Sequence, residues 1–412
     1  MRKNEPLPKI RTDIQIIPVQ IKNETVYVIQ DHLGLAPSGS ALRHDTLKLL
    51  YLISQSSTFS DFQYQLTKLQ GGEIVDEDII DKIILDLDNL NLLETSNFHS
   101  GRKRIVRDYT ELRVRDPVMA GKGYPEKSTE SINLVNKIIT GISKPQTQDF
   151  LKDKQIKAII APHIDLTVGS QGYGFAYTCW PDKPPRRIIL LGTGHAINNG
   201  FYSITDKDFI TPMGLLKNDK DTVKRLRSAV SGALAPNDFA HRSEHSLEFQ
   251  TLFIRHLIGE SDTRIVPILC GSFMNLLSMV EKPSDYLQIA GFLAALSEIA
   301  SESDTMIVAG IDLSHIGPKF GHTQSASSLS HESKIHDGNL LEALKNGNVR
   351  DLWKESQRVA DRYNVCGLST MATLLEITNS LNLEGQILHY EMWHEKATRS
   401  AVSFASAVFW TR

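Results

Sequence analysis

Three histidines stand just past three short apolar runs. The runs are Lys157-Ala-Ile-Ile-Ala-Pro-His163, Arg187-Ile-Ile-Leu-Leu-Gly-Thr-Gly-His195 and Met306-Ile-Val-Ala-Gly-Ile-Asp-Leu-Ser-His315. Histidine fills only 14 of 412 positions, so three at three such exits exceed chance placement. Imidazole is the commonest protein ligand for transition metals. Polar groups past the carboxyl ends of buried strands stand where open α/β sheets bind ligands. The pattern predicts a metal site that suits Fe(II), Cu(II) or Zn(II), among which affinity alone would not discriminate. A fourth histidine, His245, lies in Glu244-His-Ser-Leu-Glu-Phe-Gln, which reads as a helix start. A helix N-terminus favours neutral imidazole, which suits a general base. Glu244 and Asp312 supply nearby carboxylates, and Asp312 is placed to orient a histidine. His241 and His245 have a zinc-ligand spacing, but Arg242 occupies the glutamate place of His-Glu-x-x-His, which argues against a zincin.

Weaker signals accompany these. Leu191-Gly-Thr-Gly-His195 is half of a dinucleotide loop, with Ile197 where its third glycine would stand. Gly169, Gly172 and Gly174 are expected to let the backbone bend around a pocket. Cys366-Gly reads as a helix start where a thiolate is stabilised, or as a buried inert thiol.

The elements that position these groups follow from periodicity. Apolar strands are expected at 156–161, 187–191, 264–269 and 305–311, with two more at 386–393 and 401–410. Helices are expected at 128–142, 219–232, 245–257, 284–300, 331–345 and 368–379. Alternating strands and helices predict an α/β fold: a mostly parallel or mixed sheet with helices on both faces. Residues 1–112 read as a separate module and 113–412 as the metal-binding domain. The module has a strand at 26–30, a helix capped by Ser40 or Asp45, and a second capped by Ser60. A third, acidic helix spans 76–90, followed by a short strand at 91–95 and a linker over 96–113. Three helices and then a strand form a winged-helix-like pattern. The acidity of the third helix argues against DNA reading by it and favours peptide or protein docking.

Composition narrows the class. Apolar residues make up 41%, charged residues 23%, and the net charge is −3. These are values of an ordinary globular protein without an electrostatic footprint for nucleic acid. No apolar stretch is long enough for a membrane helix, and Met1-Arg-Lys-Asn-Glu-Pro-Leu-Pro lacks a signal-peptide core. The three scattered cysteines fit a cytoplasmic location.

From about Arg115 to Arg412 the chain resembles the Memo family, known in bacteria and archaea as protein B of the AmmeMemoRadiSam system. The resemblance rests on Arg115-Asp-Pro-Val-Met-Ala-Gly-Lys-Gly-Tyr-Pro, Ala161-Pro-His, Leu191-Gly-Thr-Gly-His, Thr211-Pro-Met-Gly, Glu244-His-Ser-Leu-Glu-Phe-Gln, Ile265-Val-Pro-Ile, Asp312-Leu-Ser-His and Cys366-Gly, in the family's order. It implies the fold of class III extradiol dioxygenases, with His163 and His195 as metal ligands and His245 as the base. Ser314 stands where eukaryotic members carry cysteine, leaving the third ligand among His315, Asp312, Ser314 and water. The resemblance also implies a radical S-adenosylmethionine protein and an AMMECR-like protein as partners. The N-terminal module resembles PqqD-type peptide carriers by pattern alone. Two functions follow: a mononuclear non-haem metalloenzyme acting on a small molecule or peptide in a modification pathway, or a non-enzymatic peptide- or partner-binding protein using the same pocket.

Overall fold

The computed structural model describes residues 4–21, 24–31, 33–37, 41–142, 149–229 and 232–411. The chain divides into two compact units, Met1–Glu111 and Leu112–Arg412.

The first unit opens with an antiparallel sheet of β1 (Ile14–Ile21), β2 (Glu24–Asp31) and β3 (Ala41–Leu42). Helices α1 (His44–Ser54), α2 (Phe59–Leu69), α3 (Glu77–Asn89) and α4 (Ser96–Thr110) follow. Helix α3 forms where the apolar spacing predicted and buries Ile80 and Leu87. The expected strand at 26–30 is found within β2, but the strand expected after the third helix is not, since α4 follows instead. Ser40 lies outside the described residues. Asp45 sits in the first turn of α1 behind Arg43 at the cap. Thr58 rather than Ser60 caps α2, in a reciprocal box with Asp61.

Two further expectations are corrected. Residues 91–95 form no strand; Leu93 makes a single bridge to Ile10, and Leu92 and Leu93 are buried as an apolar plug. Residues 96–110 are helix α4, not linker. The hydroxyl of Thr95 accepts the Phe98 N–H, and Phe98 and Tyr109 bury one face. The exposed polar face masked that stripe in the sequence.

The second unit contains, in chain order, β4 (Val114–Arg115), α5 (Ser128–Thr140), β5 (Ile156–Ala161), α6 (Ser170–Tyr177), β6 (Arg187–Thr193), β7 (Tyr202–Ile204), β8 (Asp208–Thr211), β9 (Gly214–Leu216), α7 (Lys220–Ala229) and α8 (His245–Ile258). It continues with β10 (Arg264–Cys270), α9 (Leu287–Ala300), β11 (Thr305–Gly310), β12 (Asp312–Ile316), α10 (Ala326–Lys345), α11 (Val349–Val359), α12 (Leu368–Thr378), β13 (Leu383–Glu395) and β14 (Ser400–Thr411).

The main sheet runs β7–β10–β6–β11–β5–β14, and β12 and β13 both pair with β14. Strands β10, β6, β11 and β5 are mutually parallel; β7 and β14 are antiparallel to their neighbours. The parallel strands are buried on both faces, which is why they read as unbroken apolar runs. Alternate residues divide between two cores. Ile160, Ile189, Val266 and Ile307 join the core containing α9 and α12, while Ile159, Ile188, Ile265 and Val308 join that of α5, α6 and α8. The fold is thus α/β, a mixed sheet with helices on both faces. Strand β11 lies between β5 and β6, so the three exits Ala161, Thr193 and Gly310 are side by side.

Glycine in α6 serves packing rather than pocket bending. A Cβ at Gly174 would lie 2.7 Å from the Ile138 carbonyl oxygen, so its absence lets α6 approach α5 closely.

Candidate metal centre

Each histidine after β5 and β6 is oriented through its Nδ1. His163 donates Nδ1–H to the Gly310 carbonyl at the end of β11, at 3.1 Å. His195 directs Nδ1 at the Glu244 carboxylate, at 3.0 and 3.1 Å. A carbonyl or carboxylate oxygen can only accept, which fixes the proton on Nδ1 and leaves each Nε2 to the site. The backbone is fixed as well. The His163 N–H donates to Asp312 Oδ1 at 2.9 Å, and the His195 N–H to Glu244 Oε2 at 3.0 Å.

Cys366 completes the cluster. Its Sγ lies 3.4 Å from His163 Nε2, and donor atoms of His163, His195 and Cys366 all lie within 4.8 Å of one another. The glycine beside it makes this possible: a Cβ at Gly367 would stand 2.4 Å from the Asp312 carbonyl oxygen. Two nitrogens at about 2.0–2.1 Å and a thiolate at about 2.3 Å from one tetrahedral ion would have an N–S edge of roughly 3.5 Å. The observed edge matches, so this donor set fits a transition metal ion. A second group, His195, Glu244 and His245, meets the same distance limit and shares His195.

Helix α8 builds the other wall. Glu244 is its cap and accepts the Ser246 N–H. The Ser246 hydroxyl donates to the Thr193 carbonyl at 2.9 Å and the Gln250 amide to the Pro162 carbonyl at 2.8 Å. One face of the helix thereby closes on the exits of β6 and β5. It sets the His245 ring 5.2 Å from that of His195, nearly parallel, and 5.5 Å from that of His163, edge-on.

The charges are arranged unequally. Burial opposes charge on His163, but Asp312 and Cys366 raise its pKa to about 9. His195 is likewise raised against burial, chiefly by Glu244. Burial also opposes a Cys366 thiolate, yet His315 and His163 bring its pKa down to about 5. Glu244 is held well below the usual carboxylate range despite burial, by His195 above all. His245 goes the other way: crowding by the protein takes it to about 4, with His163 and His195 adding to the effect and Glu244 opposing it. At neutral pH His245 is a neutral acceptor beside a thiolate–imidazolium pair.

His315 is not brought into the donor cluster. Strand β12 shifts register against β14 between Asp312 and His315. Asp312 stays at His163, while His315 donates Nδ1–H to the Leu313 carbonyl and packs edge-on against Phe320. The Ser314 hydroxyl is committed to Asp337 at 2.6 Å. His241 lies in a 3-10 turn ahead of α8, with Nε2 on the Ser203 carbonyl, and does not act with His245. In the sequence Cys366 reads as a helix-start thiol, activated or inert, and as part of the family's Cys-Gly match, but no spacing ties it to histidines 171 and 203 residues upstream. The roles of Arg115 and Glu248, described below, left no catalytic signature.

A family model described as Memo-like protein matches residues 115–408. The chain belongs to the Memo family. Its relatives include a MEMO1 family protein of Aquifex aeolicus, 28% identical over 387 residues, covering 93% of this chain and 96% of that protein. A MEMO1 family protein of Thermococcus onnurineus is 26% identical over 72% of this chain and 99% of its own length. One of Thermus thermophilus is 24% identical over 86% and 99%. Among the described residues of this Memo chain, no helix is long and apolar enough to cross a membrane.

Proposed function

We propose that the chain is a mononuclear metalloenzyme, holding one transition metal ion through His163, His195 and Cys366. The observation that carries the proposal is the convergence of two oriented imidazoles and a thiolate within 4.8 Å. A bound ion would supply a Lewis-acidic centre and, for iron or copper, a redox couple. Fe(II) is the leading candidate, with Cu and Zn the alternatives; a thiolate moves the preference toward the softer ions relative to a 2-His-1-carboxylate triad. For the same reason the kinship with extradiol dioxygenases is proposed for the fold and the two histidines, and catechol ring opening is not carried over.

The protein's own groups divide the remaining work. Glu244 orients His195, and Gly310 and Asp312 orient His163. His245 takes the proton that a bound substrate gives up, since it is neutral and faces both ligand rings. A cavity of about 270 Å³, with His195 and Cys366 in its lining, gives substrate a way in. Family membership extends the proposal to a modification pathway with radical S-adenosylmethionine and AMMECR-like partners, which co-purification from the native host would test.

The decisive experiment is anaerobic purification with elemental analysis of the wild type, His163→Ala and Cys366→Ser, followed by O2 uptake with catechols. One equivalent of metal in the wild type and little in both variants supports the reading. Equal metal in all three overturns it.

A further inference from the structure

The cavity that opens on the cluster carries a carboxylate in the wall away from the two ligand histidines. Ile197, Met274 and Leu368 give it apolar walls, and among the described residues no lysine or arginine lines it. The polar side chains in its lining are largely committed: Asn364 donates to the His315 and Phe320 carbonyls, and Ser369 accepts the Phe273 N–H. The carboxylate in its wall is Asp361. The arginines nearest to it in sequence are paired elsewhere, Arg358 with Glu355 at 2.7 Å and Arg362 with Glu332 at 3.2 Å, and the base whose charge reaches it, His336, is itself bonded to Glu355 at 2.7 Å.

Asp361 is held in an unusual backbone. Ala360, Asp361 and Asn364 all have positive φ, at 47°, 59° and 48°. Three non-glycine residues in the left-handed region within five positions mark a strained turn, and such turns cluster at ligand sites. The turn runs directly into Cys366, so it ties a carboxylate in the wall to the thiolate in the floor. One Asp361 oxygen accepts the Val365 N–H, which leaves acceptor capacity free. Burial also raises the acid above its ordinary pKa, a cost that a bound cation would relieve.

We propose that this cavity selects a small amine-bearing molecule, its cationic nitrogen on Asp361, its apolar body on Ile197, Met274 and Leu368, and its far end at the cluster. The inference rests on reading the cluster as a metal site. Anionic substrates are disfavoured at this wall because Asp361 faces them there and, among the described residues, no lysine or arginine lines the cavity. The volume is just below the lower end of small-molecule pockets, about 300 Å³, which suits a single ring with a short chain.

A matched series tests the charge preference in the full-length protein by calorimetry: dopamine (cation), 4-methylcatechol (neutral) and 3,4-dihydroxyphenylacetate (anion). The expected order is dopamine, then 4-methylcatechol, then the acid, each step about fivefold in Kd. Asp361→Asn keeps an acceptor for Val365 and tolerates the left-handed backbone, so it should stay folded while the spread falls to about twofold. Asp361→Ala should do the same and guards against a new contact by the amide. Each titration is run on metal-loaded and metal-free protein. Failure to load metal defeats the metal-site reading, whereas the order of the three probes is set by the wall and is expected in both forms. Equal affinity for amine and acid, an unchanged order in both variants, or no binding by any probe overturns the inference.

Discussion

Arg115 and Glu248 form an ion pair of 2.7 Å with both side chains 1% exposed. The guanidinium also donates to the main-chain carbonyls of His241 and Glu244, at 2.8 and 2.7 Å. Glu248 in turn accepts the N–H groups of Val118 and Met119 and the Tyr124 hydroxyl. The Arg-Asp-Pro segment is thus a strap over the start of α8, where Glu244 and His245 sit. Arg115→Ala strands a buried carboxylate, so unfolding free energy should fall by about 3–5 kcal/mol. Arg115→Met with Glu248→Leu should cost clearly less than the two single changes summed, because neither charge is left alone. Denaturant titration of the four proteins gives the coupling; strict additivity would mean that the pair does not act as a unit.

The orienting residues should matter nearly as much as the ligands. Glu244→Gln removes the charge behind His195 and is expected to weaken metal binding by about 10–100-fold. Competition with a chelator of known affinity measures it. An unchanged Kd would detach Glu244 from the site.

Metal uptake should depend on pH with a defined sign. His163 titrates at about 9 and Cys366 at about 5 in the metal-free protein. At pH 7 the thiolate is already formed, and the proton to be displaced is on His163, with His195 also raised. Affinity should therefore increase with pH toward about 9, by up to tenfold per unit for each proton released. Below pH 5 protonation of Cys366 adds to the loss. Calorimetry in two buffers of different ionisation enthalpy counts the protons, and a count of zero at pH 7 contradicts the assignment.

The sequence disclosed the parts of this architecture that repeat locally. Buried parallel strands announce themselves as Ile- and Val-rich runs, so the exits bearing His163 and His195 were legible, as was α3. Groups whose meaning depends on tertiary contact were not. Cys366 reaches His163 only because Gly367 lies against the Asp312 carbonyl, and no local pattern encodes that approach. His315 follows a strand like the other two, yet a register shift of β12 against β14 turns it from the cluster. Helix α4 was hidden by its polar face, and β7, β8 and β9 are only three or four residues long, too short to show alternation.

All candidate ligands lie in the second unit, and the Memo-like match begins at residue 115. A chain beginning at Leu112 should fold and bind metal with the stoichiometry of the full-length protein. Its thermal midpoint and metal content check this; aggregation, or a folded product without metal, would show that the first unit is needed.

His245 separates a chemical role from a structural one. Its side chain is 37% exposed, its ring stacks on His195, and its closest charged partner is Glu244 at 3.4 Å. A structural histidine would be enclosed with its hydrogen bonds satisfied, and losing it would cost roughly 1–3 kcal/mol. The contacts of His245 are too open for that. The surrounding protein and the neighbouring His163 and His195 lower its pKa, which keeps it neutral through the physiological range, so a reaction using it as proton acceptor should fail only at acidic pH. His245→Gln keeps the size and a polar terminus but cannot exchange a proton. The variant should melt within a few degrees of the wild type and hold the same metal, while turnover falls by about 10²–10⁴-fold. A large drop in melting temperature, with turnover per folded molecule preserved, would make His245 a packing residue and return the search for the base to Asp312.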